Sequence, residues 1–154
     1  MTKDLREFVI QKEDAVFWMD KDGRWRNSDG RFKHKKIIDY FHASISKDAN
    51  GYFVSQIKGD CLEKVYFSYE DTALFVIDII CGPQILLILN TRKKIPLNPD
   101  SLYLHNDNLY VMDGEDRIKF AEYALIKISA FVEDNNDGLF ISIGAHRYKI
   151  HEKL

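Results

Sequence analysis

This sequence predicts an α+β fold: mixed, mostly antiparallel sheets with two helices, built from two related hairpin-helix-strand segments. Three observations carry the prediction. Strand-length apolar runs bounded by Gly, Asn and Asp recur along the chain, two stretches show helical periodicity, and the stretch from His34 to Ile57 lies without gaps over Ala121 to Gly144 at an offset of 87 residues. At 154 residues, 45% hydrophobic and 13% aromatic, the chain can bury the core of one domain, or of two halves that share it.

The formal net charge of −2 supplies no global field toward nucleic acid or an anionic membrane, so any such attraction is local. Cys61 and Cys81 lack C-x-x-C spacing, which points to a reducing compartment or at most one bridge. Met1 to Lys12 is interrupted by Lys3, Asp4, Arg6 and Glu7 and lacks the apolar core of a secretory signal, so a cytoplasmic protein is expected.

In chain order, Thr2 caps an N-terminal helix in which Leu5, Phe8 and Val9 share a stripe ending near Lys12. Val16 to Met19 and Arg24 to Arg26 form a hairpin through Asp20-Lys21-Asp22-Gly23, with Gly23 where the backbone takes positive φ. The first long helix runs from Lys33 to Ser46 with Ile38, Phe41 and Ile45 inward, closed by the turn Lys47 to Gly51. Tyr52 to Ile57 and Lys64 to Phe67 are strands rich in aromatic and β-branched residues.

The most apolar region, Ala73 to Leu89, is cut by Asp78, Gly82, Pro83 and Gln84 into strand-length pieces, so it reads as a buried hairpin of central strands rather than a membrane span. Leu102 to Leu104 and Tyr110 to Met112 pair across Asn106-Asp107-Asn108. Asp113 to Asp116 caps a second helix that reaches Val132 with Ile118, Leu125, Ile128 and Val132 on one face, and Asn135 to Gly138 closes it. Leu139 to Ile143 and Arg147 to Ile150 complete the chain. The expected organisation is an N-terminal helix over 1–15, a first half over 16–90 and a second over 91–154, sharing one core or forming two small subdomains.

Identity between the two related segments is thin, but Ala43, Gly51, Phe53 and Ser55 meet Ala130, Gly138, Phe140 and Ser142, and apolar positions coincide throughout. The upstream hairpins align at an offset of 85, placing Phe17, Asp22 and Trp25 over Leu102, Asp107 and Tyr110. Duplication is the reading this favours.

The motif V-F-W-M-D-K-D-G-R-W at Val16 to Trp25, together with Tyr52-Phe53 and Y-E-D-T-A-L-F at Tyr69 to Phe75, resembles a family of uncharacterised bacterial proteins known as a domain of unknown function. The resemblance extends from Val16 onward, with Leu89-Asn90-Thr91 and Pro96 to Leu104 fitting loosely. It implies a mixed α/β fold with structural repeats, bacterial origin and a role in ligand sensing or signal transduction. Where that family has a His and Gly-x-Pro between hairpin and helix, this chain has Asn27 to Phe32.

No catalytic signature, metal cluster or cofactor loop stands out. The five histidines are scattered, and Glu70 and Asp71, as neighbours on a strand, face opposite sides. Asp78 shares a strand face with Leu74, Val76 and Ile80, so if buried it needs a partner and its pKa rises; an acid of this kind more commonly sits where the strand emerges. The segment Arg24 to Lys36 holds six cations and one acid, Asp29, interleaved with Trp25 and Phe32. Its Lys33, Lys35 and Lys36 stand at a helix N-terminus, where they oppose the macrodipole and invite an anion. The plainer reading is a solvated face whose cations pair with carboxylates, with Trp25 turned into the core.

The first expectation is therefore a non-enzymatic module, without a cofactor, that binds a small ligand or protein partner between its halves through Asp20, Arg24, Trp25, Glu70, Asp71, Asn90 and Arg92. A hydrolase or transferase using Asp71 or Asp78 is the second, and a weak nucleic-acid or nucleotide binder through Arg24 to Lys36 the third. Neither nucleic acid nor membrane is the expected partner.

Overall fold

The computed structural model describes residues 6–153. The chain divides into two compact units, the first through Ala73 and the second from Leu74. It is α+β, with short helices among mixed, mostly antiparallel sheets.

The first unit runs β1 (Arg6–Ile10), β2 (Phe17–Met19), β3 (Trp25–Asn27), β4 (Gly30–Arg31), α1 (Lys35–Ala43), β5 (Ile45–Asp48), β6 (Gly51–Lys58), β7 (Cys61–Tyr66) and β8 (Ser68–Tyr69). These form two four-stranded sheets, ordered β1-β7-β6-β5 and β4-β3-β2-β8. The expected N-terminal helix is instead the strand β1, parallel to β7 from Arg6 opposite Cys61 to Ile10 opposite Val65. Val9 and Ile10 favour extended backbone, and the ladder with a strand far along the chain outweighs a weak helical stripe. Thr2, the expected cap, lies outside the described residues.

Helix α1 is shorter than its periodicity implies. Ser44 ends it, its N–H donating to the Tyr40 and Phe41 carbonyls and its hydroxyl to Tyr40 O at 2.7 Å. Ile45 is buried from β5 rather than from the helix, and the expected closing turn at Lys47 to Gly51 belongs to a hairpin. There the Asn50 N–H donates to Asp48 Oδ1 at 2.9 Å, and Gly51 takes φ +117°, where any other residue is strained. The core of this unit is aromatic: Trp25, 1% exposed, meets Phe17, Phe41 and Phe67 edge to face with ring centroids 4.8–5.6 Å apart.

The second unit runs β9 (Leu74–Ile80), β10 (Leu86–Leu89), β11 (Lys94–Pro96), β12 (Tyr103–His105), β13 (Asn108–Asp113), β14 (Asp116–Phe120), α2 (Glu122–Ser129), β15 (Val132–Asn135), β16 (Gly138–Ile143) and β17 (His146–Glu152). All nine strands join in the order β11-β10-β9-β14-β13-β12-β17-β16-β15. The apolar hairpin β9–β10 is as expected, with Phe75, Val76, Ile79, Leu87 and Leu89 buried. Asn106 and Asp107, at φ 50° and 64°, make the two-residue turn between β12 and β13.

Here too the helix is overestimated from the sequence. Asp113 to Asp116 is the turn between β13 and β14, Ile118 is buried in β14, and Val132 begins β15. Only Ala124 and Ile128 of α2 are buried, while Leu125 is 36% exposed. The Asn135 to Gly138 segment is the β15–β16 hairpin turn, again with an Asp137 N–H to Asn135 Oδ1 bond. Each unit thus carries a helix followed by three antiparallel strands. Ile45 opposite Val54 and Asp48 opposite Gly51 in the first have Val132 opposite Ile141 and Asn135 opposite Gly138 in the second. Among the described residues no helix is long and apolar enough to cross a membrane.

Candidate functional site

The β2–β3 hairpin gathers three of the candidate residues around one turn. Asp20 is 3% exposed; its Oδ1 accepts from the Asp22 and Arg24 N–H groups, both at 2.9 Å, and its Oδ2 accepts from Arg26 Nε at 2.6 Å. Glu70 Oε2 accepts from the Lys21 N–H at 2.9 Å. Burial pushes the Asp20 carboxyl up, but the Arg24 N–H, the Arg26 guanidinium and the Asp22 N–H outweigh it and hold it below its ordinary value. Asp20 and Glu70 therefore build the turn, Arg24 is exposed beside it, and Trp25 points into the core, where its Nε1–H donates to His42 Nδ1 at 3.1 Å.

Asp71 is half-buried at the end of the first unit. Asn90 and Arg92 lie in the second unit, in the turn after β10. Asn90, 1% exposed, exchanges hydrogen bonds with Phe75, its Oδ1 accepting from the Phe75 N–H and its own N–H donating to the Phe75 carbonyl. Arg92 takes φ 75° and donates its N–H to Leu89 O.

The basic segment is split by its geometry. Arg26 is bound to Asp20, and Lys35 pairs with Asp39 at 2.6 Å one turn along α1. Lys33 and Lys36 are exposed, and α1 has neither a side-chain cap nor an acid in its first turn. Asn27, Asp29 and Arg31 to His34 of the segment line an open groove of about 600 Å³ within the first unit. Arg31, Lys33 and His34 form its polar rim, and Phe32, Ile37 and Phe41 its apolar floor. Asn27 and Asp29 stand at the β3–β4 turn, the Asp29 N–H donating to Asn27 Oδ1 at 2.9 Å. Ile37 is 47% exposed, and Phe32 and Phe41 meet edge to face at 5.2 Å. Of the expected anion-binding lysines, the groove takes in Lys33 but not Lys35 or Lys36. Of its floor residues, Phe41 reads from sequence as part of the helix's inward stripe with Ile38 and Ile45, and Ile37 lies outside that stripe. The alternation of cation and ring at Arg31-Phe32-Lys33 is the sequence signal that falls on this groove.

A second depression of the first unit, about 330 Å³, is lined by Tyr52, Tyr66 and Tyr69 with Lys12 as its cation. Nearby, Asp48 Oδ2 accepts from the Tyr66 hydroxyl at 2.6 Å and from Lys64 Nζ at 3.1 Å. The Tyr66 bond, against partial burial and with help from the Asn50 N–H and Lys64, holds the Asp48 carboxyl low.

Asp78 emerges half-exposed from β9. Its Oδ1 accepts from Lys127 Nζ at 2.7 Å and from the Ile79 N–H at 2.8 Å, and Lys127 also reaches Ile79 O. The raised pKa expected for a buried acid is absent: the Lys127 bond, with the Ile79 N–H, lowers it against partial burial. An acid so held is a poor proton donor at neutral pH. Lys127→Met is expected to move the Asp78 carboxyl titration upward, toward the ordinary aspartate range, when followed by carboxyl carbon NMR. An unchanged titration would show that Lys127 does not hold it. Among the described residues no group of three His, Cys, Asp or Glu side chains is arranged to hold a metal ion.

No protein-family model and no curated protein matches the sequence. In fold, the chain is similar to a DUF1285 family protein from Silicibacter pomeroyi DSS-3, with a TM-score of 0.62 at 8% identity over 95% of this chain and 84% of that one. It is also similar to a DUF1285 family protein from Shewanella baltica OS155, with a TM-score of 0.51 at 15% identity over 75% of this chain and 91% of that one. The resemblance read from the hairpin motif and the likeness of structure thus point the same way, and the chain has the fold of these proteins from a family of unknown function.

Proposed function

We propose that this protein is a ligand-binding module whose site is the groove beside α1, and that it takes a small anion with an apolar body. The observation that carries this is the combination of two cations, Arg31 and Lys33, with a half-exposed floor of Phe32, Ile37 and Phe41 in one concavity. A groove of about 600 Å³ is the size of small-molecule sites in general. Arg31 offers a planar fork for a phosphate or carboxylate, Lys33 a mobile point charge, and the floor supports the ligand's body. Binding rather than turnover is favoured because Asp78, one of the two acids named for an enzyme, is engaged in an ion pair with Lys127. A sensing role in the cytoplasm, where a metabolite of this kind is at hand, is part of the same proposal.

The probe is anilinonaphthalene sulfonate, an aromatic anion whose fluorescence rises on transfer to an apolar site. The parent should show saturable, stoichiometric enhancement that weakens as salt rises. Arg31→Gln with Lys33→Gln should weaken it by about tenfold or more, since each charged contact is worth about 1 kcal/mol or more. Equal binding by parent and double variant would overturn the proposal.

A further inference from the structure

We infer that the ligand of this groove is a nucleoside phosphate, an inference that rests on the groove being a ligand site. The deciding residue is Asp29. The groove sets a carboxylate at the β3–β4 turn in the same concavity as Arg31 and Lys33. A plain anion, such as inorganic phosphate or a fatty acid, gains from the cations but gains nothing from Asp29 and is repelled by it. A ligand that satisfies the whole groove presents hydrogen-bond donors to Asp29, a flat apolar body to the floor, and negative charge to Arg31 and Lys33.

A ribose diol, a base and a phosphate supply those three features in one molecule. Vicinal hydroxyls donate to a carboxylate, which is how acidic side chains hold ribose in unrelated nucleotide sites. The base has a π-face for Phe32 and an apolar contact for Ile37, a form of packing that tolerates any base. The phosphate suits the guanidinium of Arg31 with the amine of Lys33 beside it, since two cations exceed the need of a single carboxylate. Lys35 does not line the groove and has no part in this role. The turn that carries Asp29 is itself fixed, because the Asp29 N–H is held by Asn27 and Gly30, at φ +111°, closes the hairpin opposite Asn27.

An amino acid also pairs an ammonium with a carboxylate across an apolar body, and it is the competitor in the test. Adenosine 5′-monophosphate, its 2′,3′-dideoxy analogue, phenylalanine and inorganic phosphate are titrated against the bound fluorescent sulfonate. The inference expects displacement by the nucleotide, displacement about tenfold weaker by the dideoxy analogue, and loss of that difference in Asp29→Ala. It is overturned if the nucleotide does not displace the dye, if the two nucleotides are equal on the parent, or if phenylalanine displaces it better. Dye binding that depends on Arg31 and Lys33 but ignores nucleotides leaves the groove a ligand site and removes the nucleotide alone. Dye binding that ignores Arg31 and Lys33 removes both.

Discussion

Trp25→Ala lowers the stability of the first unit by about 3–5 kcal/mol, measured as the drop in unfolding free energy in urea with tryptophan-independent detection. The size follows from what the indole does. It is 1% exposed and touches the rings of Phe17, Phe41 and Phe67, so its removal leaves a cavity walled by stiff aromatics that cannot collapse into it. It also leaves His42 Nδ1 without the indole N–H that donates to it at 3.1 Å. Trp25→Phe separates the two contributions, keeping most of the packing and losing the hydrogen bond, and should cost about 1–2 kcal/mol. A loss below about 1 kcal/mol for the alanine variant would mean that these rings are not the core.

Asp20→Ala is the second large effect, about 3 kcal/mol, because one buried carboxylate gathers three donors. Without it the Asp22 and Arg24 N–H groups and the Arg26 guanidinium lose their acceptor together, and the β2–β3 turn loses its internal frame. Asp20→Asn retains an acceptor for the two backbone groups and should cost less. The pH dependence has a definite sign. The folded carboxyl lies below its ordinary value, so its contribution is full above about pH 5 and is lost as pH falls below about 4, through the folded value. Asp48 and Asp78 are depressed too and act in the same direction. Acid melting curves of parent and Asp20→Asn should therefore converge as pH falls; a gap that stays constant down to the acid transition would refute this account.

What the sequence makes legible is what short-range chemistry decides. Asp20 to Gly23 and Asn106-Asp107 specify their turns through a few adjacent residues, and the run from Leu74 to Ile80 is too apolar and too β-branched to be anything but a buried strand. What misleads is partnership at a distance. Ile38, Phe41 and Ile45 fit a helical stripe, yet Ile45 pairs with Val54 in a ladder, and Val132 likewise pairs with Ile141. β1 is a strand because β7 receives it some 55 residues later, which no local window contains. The site follows the same rule. The cations of Arg24 to Lys36 are visible in sequence, but only Arg31 and Lys33 line the groove, placed there by the β3–β4 turn and the start of α1, while Arg26 is drawn to Asp20. Asn90, readable only as a polar residue at a strand end, is a buried brace because Phe75 needs its acceptor.

Helix α1 contributes Ile37 and Phe41 to the groove while none of its own residues is buried, and it is seated on the first unit by the Phe41 ring and the His42 imidazole. Any local opening of this helix carries Ile37 and Phe41 away from the groove together. If the groove is the ligand site proposed above, its apparent affinity scales with the fraction of molecules in which the helix is in place. In the proposed site, the Trp25–His42 and Ser44–Tyr40 bonds would then bear on affinity from outside the groove.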